Sequence, residues 1–373
     1  MRPVVIVYVT AGNGHRTAAR AVRQELDRRG APNVIMDLLD FSSDLFKWSY
    51  SDVYAFVSEH SHLVCRMMYD LKDQSREESV MLRFLESITM NQVTKFMRII
   101  AENEPEVILC THFFPLSVIS RMKEQGLYNG RLYAAITDYG LHRTWLNEHV
   151  DRYFIASEWI RKGLLEAGTP PGSVTMSGIP VMRAYAECTG EPPPPSKDGR
   201  FRILFVTSSI PGSLALDIVR AIAGTGVGTD LTIVMGRNRD LADDLEQVTL
   251  PAGVRLATHG FVDNLDAFMR RSDLMITKPG GLTVSEALCT GIPMILVNPI
   301  PKQEINNSVY LQENGAGILA RSADEVGAIV SRLSGDRDAL AEMRRRALGL
   351  AYPNAAETLV DTILGEMGRA EGS

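Results

Sequence analysis

Residues 278–291 read KPGGLTVSEALCTG: two glycines follow an apolar run, and a helix-like stretch begins whose first acid is Glu286. A helix that opens on bare glycine backbone offers unpaired amides and the positive end of its dipole to an anion. Gly280, Gly281, Leu282 and Thr283, following Lys278, are therefore candidates to cradle a diphosphate. Glu286, further along the same helix, can accept from both hydroxyls of a ribose. The plainer reading of Glu286 is an exposed helix acid.

A second stretch, AGNGHRTAARA (residues 11–21), sets Gly12 and Gly14 in a tight turn after a strand-like run and His15 at a helix start. A neutral imidazole there can take a proton from an acceptor hydroxyl. Its alternative is a helix-capping or buried structural histidine. No Gly-Lys-Ser/Thr follows, so this is not a phosphate-binding P-loop, and Thr17 breaks the dinucleotide fingerprint.

Two later runs end in THFFPLS (111–117) and ITDYGLHRTWLNEHVD (136–151). They bring Thr111, His112, Asp138 and His142, with Trp145, towards the strand-end rim that carries His15. Asp138 can orient an imidazole or serve as the base itself; singly, each can equally be a loop hydrogen-bonder. The histidines and Asp138 fit no metal-ligand spacing, and no metal is expected. In the second half, Ser208 and Ser209 offer hydroxyls and amides to phosphate, while Gly236, Arg237 and Asn238, then Phe261 and Val262, end later runs on the equivalent rim. Lys302, Gln303, Glu304 and Asn307 lie at another helix start. Amide and acid groups there suit hexose hydroxyls, and Lys302 can offset phosphate charge.

These residues need a scaffold of alternating strands and helices, and the chain supplies one. Apolar runs such as Val4–Val9, Val107–Cys110, Leu274–Thr277 and Met294–Val297 alternate with helical patterns along most of its 373 residues. Continuous apolar strands separated by helices indicate parallel sheets buried on both faces. The prolines of ECTGEPPPPSKDGR (187–200) continue neither helix nor central strand, so a domain boundary is expected near residue 196. Two Rossmann-like α/β domains, 1–196 and 197–373, facing each other across a cleft are the expected fold, with the last helix packing back on the first domain. Residues 41–100 interrupt the rhythm with aromatic and basic groups, among them Trp48, Tyr50 and Arg66. They read as helices packed on the first domain, or as a lipid-facing surface.

A net charge of -6, spread over both halves, argues against a nucleic-acid partner. Cys65, Cys110, Cys188 and Cys289 form no C-x-x-C pair, which points to reduced thiols and a cytoplasmic location. No run reaches the roughly 18–20 apolar residues of a membrane span, and no signal peptide is read.

AGNGHRTAARA, TDYGLHRTWLNEHVDRYFIASE and TKPGGLTVSEAL…GIPMILVNPIPKQEINNSVYL together resemble the diacylglycerol glycosyltransferases, the group of galactolipid synthases and processive glucosyltransferases related to the lipid I N-acetylglucosaminyltransferase. The resemblance runs over nearly the whole chain. It implies a GT-B fold, a UDP-hexose donor as co-substrate, inversion at the anomeric carbon, and neither cofactor nor catalytic metal. It further implies a lipid acceptor, diacylglycerol or a glycosyl-diacylglycerol, met at an anionic membrane face. By position, His15 matches the catalytic or acceptor-side histidine. Gly280, Gly281, Thr283 and Glu286 match the nucleotide-diphosphate segment, and Gln303, Glu304 and Asn307 the sugar side. Phe261 and Val262 match the backbone framing uracil. Two departures stand out. TSSIPGS replaces a glycine-rich phosphate loop, and Lys302 stands where relatives carry glycine before Gln-Glu. Rival readings are a same-fold transferase for a soluble or polyprenyl acceptor, a UDP-sugar epimerase, or a non-catalytic UDP-sugar binder.

Overall fold

A computed structural model of the chain describes residues 2–10, 13–42, 93–188, 190–236, 238, 240–300 and 302–370. The chain divides into two compact units, Met1–Arg183 with Asn354–Ser373, and Ala184–Pro353. Packing thus changes hands at residues 183 and 184, before the proline run rather than at residue 196. The extended residues 190–196 belong with the second unit.

The first unit contains β1 (Val4–Tyr8), α1 (Gly14–Arg28), β2 (Asn33–Asp37), α2 (Thr94–Asn103), β3 (Val107–Cys110), α3 (Phe113–Glu124), β4 (Arg131–Ala135), β5 (Arg152–Ile155), α4 (Glu158–Glu166) and β6 (Val174–Met176). Its six-stranded parallel sheet runs β2-β1-β3-β4-β5-β6. The second unit contains β7 (Phe201–Val206), α5 (Gly212–Ala223), β8 (Thr229–Val234), α6 (Asp240–Glu246), β9 (Val254–His259), α7 (Leu265–Arg271), β10 (Leu274–Thr277), α8 (Gly281–Thr290), β11 (Met294–Leu296), α9 (Lys302–Glu313), β12 (Gly317–Leu319), α10 (Ala323–Ser334) and α11 (Arg337–Gly349). Its sheet runs β12-β11-β10-β7-β8-β9, again all parallel. The final helix, α12 (Ala355–Ala370), returns to the first unit.

Strand alternation explains why the sequence runs are continuously apolar. On the first sheet Val5, Val7, Ile108 and Cys110 enter one core, while Val4, Ile6, Val107 and Leu109 enter another on the opposite face. The second of these cores is completed by Leu359, Val360, Ile363 and Met367 of α12. Polar contacts fix the same helix: Arg152 Nε donates to Glu366 at 2.9 Å, the Tyr133 hydroxyl also donates to Glu366, and Arg29 pairs with Asp361 at 2.9 Å. Of residues 41–100, the described part of α2 buries Phe96 and Ile100 in the first core, and Phe96 meets the Phe41 ring at 6.0 Å. Residues 43–92, and with them the lipid-facing reading of that stretch, lie outside the described residues. Among the described residues no helix is long and apolar enough to cross a membrane.

Each sheet reverses its winding once. In the first, β1 pairs with both β2 and β3; in the second, β7 pairs with both β8 and β10. The loops leaving β1 and β3, and those leaving β7 and β10, therefore diverge to opposite faces and open a crevice beyond the strand ends, where ligands of such sheets bind.

Because Ile363 is fully buried beneath the first sheet, Ile363→Ala should cost the first unit about 2–5 kcal/mol of stability. Denaturant unfolding checks this, and a loss below about 1 kcal/mol would show that α12 is a passive appendage.

Candidate active site

In the first unit both loops at the winding reversal carry histidines. Register Val7↔Cys110 sets the ends of β1 and β3 side by side, and His15, at the start of α1, reaches the next residue of the neighbouring strand. Its Nδ1 lies 2.8 Å from the Thr111 carbonyl and 3.0 Å from the Thr137 hydroxyl, while Thr111 Oγ1 donates to the His15 carbonyl at 3.0 Å. A carbonyl only accepts, so Nδ1 carries the proton and Nε2 presents the lone pair. The ring is half-buried. Desolvation pushes its pKa down to about 4, against the Thr111 bond, which works upward. His15 is therefore neutral at physiological pH, with a bare nitrogen.

His112 stands edge-on to His15, ring centroids 4.5 Å apart, and stacks on Phe113. It is fully buried and caps α3 by accepting the Phe114 amide on Nδ1 at 3.0 Å. Its proton therefore sits on Nε2, a buried donor with no protein partner. Burial and then the neighbouring His15 hold it well below the ordinary imidazole value. Thr10 donates from its hydroxyl and its amide to Asp37, tying the loop after β1 to the end of β2.

The other acceptor-side candidates divide. Asp138 is half-buried beside Thr137. His142 accepts the Thr144 amide and so caps the single turn Arg143–Trp145, the structural alternative for that histidine. Trp145 corrects the expectation of an acceptor-side aromatic. It is 1% exposed, inside the first core, with its ring edge-on to Phe113. Gly14 begins α1, and Gly12 lies outside the described residues. Thr137, the second partner of His15, was not singled out from the sequence; its place beside Asp138 after a strand was the available signal.

In the second unit the helices leaving β7 and β10 begin without side-chain caps, α5 after Pro211 and α8 after Gly280. In the same unit α7 also starts without a side-chain cap, whereas α10 is capped by Ser322 and α11 by Asp336. The first intrahelical bond of α8 runs from the Val284 amide to the Gly280 carbonyl at 2.9 Å. The amides of Gly281, Leu282 and Thr283 thus have no acceptor within the helix, and Gly280 has no side chain to offer one. Glu286 lies one turn in, only 6% exposed. This overturns the plain reading of an exposed acid. Desolvation, then the charge of Asp266, raises its pKa to about 8. Asp266 is itself buried and paired with Arg270 at 2.5 Å.

The loops around α8 are held in uncommon backbone. Ser209 after β7 and Asn298 after β11 adopt left-handed φ of 63° and 48°; a non-glycine there costs on the order of 1–3 kcal/mol and marks a constrained site. Gly236 also has φ 62°, and a Cβ on it would meet Ser208 Oγ at 3.0 Å, so Ser208 and Gly236 adjoin. Beneath them the Thr207 hydroxyl is buried without a partner. Phe261 is 62% exposed and Val262 half-buried. Asn238 is half-buried, and its Oδ1 accepts the Leu241 amide of α6 at 3.2 Å. Gln303 is half-buried, and Glu304 pairs with Lys278 at 3.2 Å. Asn307 is a correction. It is fully buried and donates to the Pro279 carbonyl at 3.0 Å, so it fastens the glycine loop in place of facing a sugar. Arg237 and the Lys302 side chain lie outside what is described. Among the described residues no group of three His, Cys, Asp or Glu is placed to hold a metal.

The comparisons agree with this geometry. Residues 15–181 match the monogalactosyldiacylglycerol (MGDG) synthase family model, and residues 213–359 match the glycosyltransferase family 28 C-terminal domain. The processive diacylglycerol beta-glucosyltransferases of Bacillus licheniformis and Bacillus subtilis are 27% and 28% identical to this chain, each over 97% of it and 94% and 95% of their own length. Over nearly its whole length the chain is thus similar to the diacylglycerol glycosyltransferases. Both relatives are named as glucosyltransferases, and the second matched model is a glycosyltransferase domain. Acinetobacter baumannii MurG shares its fold with TM-score 0.62 at 16% identity, covering 98% of this chain and 100% of MurG. A calicheamicin glycosyltransferase does so with TM-score 0.62 at 15% identity, covering 98% of both chains. The two parallel sheets are the GT-B fold.

The two buried groups bias stability in opposite directions. Folded Glu286 keeps its proton to about 8, whereas an exposed glutamate releases it near 4.5. Between these values the native state binds the extra proton, and its contribution to stability falls as pH rises. Folded His15 takes a proton only near 4 against 6.5 when exposed, so its contribution falls as pH drops through that window. Glu286→Gln should therefore gain stability relative to the parent as pH rises from about 4.5 to about 8. Urea unfolding at both ends of the window checks this; parallel pH curves would contradict it.

Proposed function

We propose that this enzyme transfers a hexose from a UDP-sugar to a lipid hydroxyl, on diacylglycerol or a glycosyl-diacylglycerol, with inversion and without a catalytic metal. The observation that carries the reading is α8, whose uncapped start lies at the winding reversal of its sheet with Glu286 buried one turn in. The relatives' printed name supports the acceptor, and its "beta" supports inversion, because UDP-hexose donors are α-linked.

His15 is the base. Thr111 and Thr137 hold Nδ1–H, so Nε2 takes the proton of the acceptor hydroxyl as its oxygen attacks the anomeric carbon. The bond from that carbon to the diphosphate oxygen breaks, and UDP leaves with the electron pair. Its charge meets the amides of Gly281, Leu282 and Thr283 at the positive end of α8, which supply the stabilisation a metal provides elsewhere. Glu286 grips the ribose hydroxyls, and Ser208, Ser209 and the Thr207 hydroxyl line the loop opposite. Asp138, beside Thr137, is the alternative base. Ligand charge is an added influence on His15, whose low pKa makes it a weak base in the free protein; a nearby diphosphate raises it.

His15→Ala should lower kcat by about 10²–10⁴ with UDP affinity unchanged. Glu286→Ala should weaken UDP by about 1.5–3 kcal/mol in calorimetry. Full turnover without His15 transfers the base role to Asp138, and intact UDP affinity removes Glu286 from the ribose. Activity should survive a chelator. Peripheral contact with the cytoplasmic membrane face predicts co-sedimentation with anionic vesicles containing diacylglycerol, and release at high salt; transfer only to soluble acceptors would overturn the lipid assignment.

A further inference from the structure

Lys278 directly follows β10, and its cationic side chain is only 7% exposed. Burial of that charge is unfavourable unless a partner compensates it. The partner is Glu304, in the first turn of α9, with Nζ 3.2 Å from Oε2 and the glutamate side chain 16% exposed. The same Oε2 accepts the Ile300 amide at 3.2 Å. The other oxygen, Oε1, lies over the glycine turn. A Cβ at Gly280 would lie 3.9 Å from it. One carboxylate oxygen is thus fastened from below by strand end and loop, and the other is directed across the start of α8. Asn307, one turn later on α9, fastens the same loop through Pro279, so α9 is stitched to the glycine turn at two points.

We propose that the Lys278 side chain is a positioning residue for donor recognition: it locks the Glu304 carboxylate so that Oε1 accepts a hydroxyl of the donor hexose. The inference rests on the reading of the second unit as the UDP-sugar site. The ammonium is already compensated by Glu304, so its charge serves the acid and the phosphates are left to the α8 amides. A long, flexible lysine suits this task because its single charge can be drawn under the loop while its methylenes pack.

The test measures Kd for UDP and kcat/KM for UDP-glucose and UDP-galactose, with diacylglycerol vesicles, on the full chain. Lys278→Met, Glu304→Gln and the double variant are compared with the parent. Lys278→Met should lower kcat/KM for the preferred donor about 10–100-fold, the scale of one charged hydrogen bond, while UDP binds within about twofold of the parent. The double variant removes both buried charges together, which guards against misfolding, and should be no worse than Glu304→Gln alone because the residues act as a unit. A loss of UDP affinity equal to the loss in kcat/KM would assign the ammonium to phosphate and overturn the proposal. Additive losses in the double variant would do the same. A parent chain that binds no UDP would instead overturn the donor-site reading beneath it.

Discussion

Unpaired backbone amides at the start of α8 are the constraint on which the second unit's chemistry depends. A parallel sheet that reverses its winding leaves neighbouring strands with diverging loops, and here both helices entered from that point, α5 and α8, start without a side-chain cap. Three other helices are capped by serine or aspartate, α4 by Ser157, α10 by Ser322 and α11 by Asp336. Glycine at 280 brings no side-chain acceptor of its own to those amides. The cost of leaving amides bare is offset only when an anion arrives.

Within each unit, desolvation tunes a titratable group, and in opposite senses. It keeps His15 neutral in the first unit and a proton on Glu286 in the second. Lys278 is paired with Glu304 at 3.2 Å. In the first unit, the Thr111 carbonyl and the Thr137 hydroxyl orient an imidazole, with no carboxylate among these partners of Nδ1. The histidine is oriented rather than strengthened, which leaves its basicity to respond to charge brought by ligands.

The sheets were legible in the sequence because parallel strands buried on both faces need uninterrupted apolar runs; Val107–Cys110 and Leu274–Thr277 carry the same bounds in both readings. The proline run was equally visible, but prolines report backbone stiffness and not packing. The division into units, at residues 183 and 184, and the return of α12 depend on contacts distant in sequence. At the candidate site, residue type and strand-end placement pointed to His15, Glu286 and the glycine pair, which lie at the starts of α1 and α8. The burial of Trp145 and Asn307 was not legible, because a side chain's direction is set by its neighbours: a tryptophan in a polar loop turned into the core, and an asparagine bonded backbone. Thr137 and the Lys278 side chain went unnoticed for the same reason. Their partners, His15 and Glu304, lie far away in sequence.

The most direct test of the anion cradle is to follow backbone amide resonances of the isotope-labelled chain as UDP is added. Shifts concentrated at Gly281, Leu282 and Thr283, with Glu286 beside them, are the predicted result. Saturable UDP binding that leaves those amides unmoved would contradict the account.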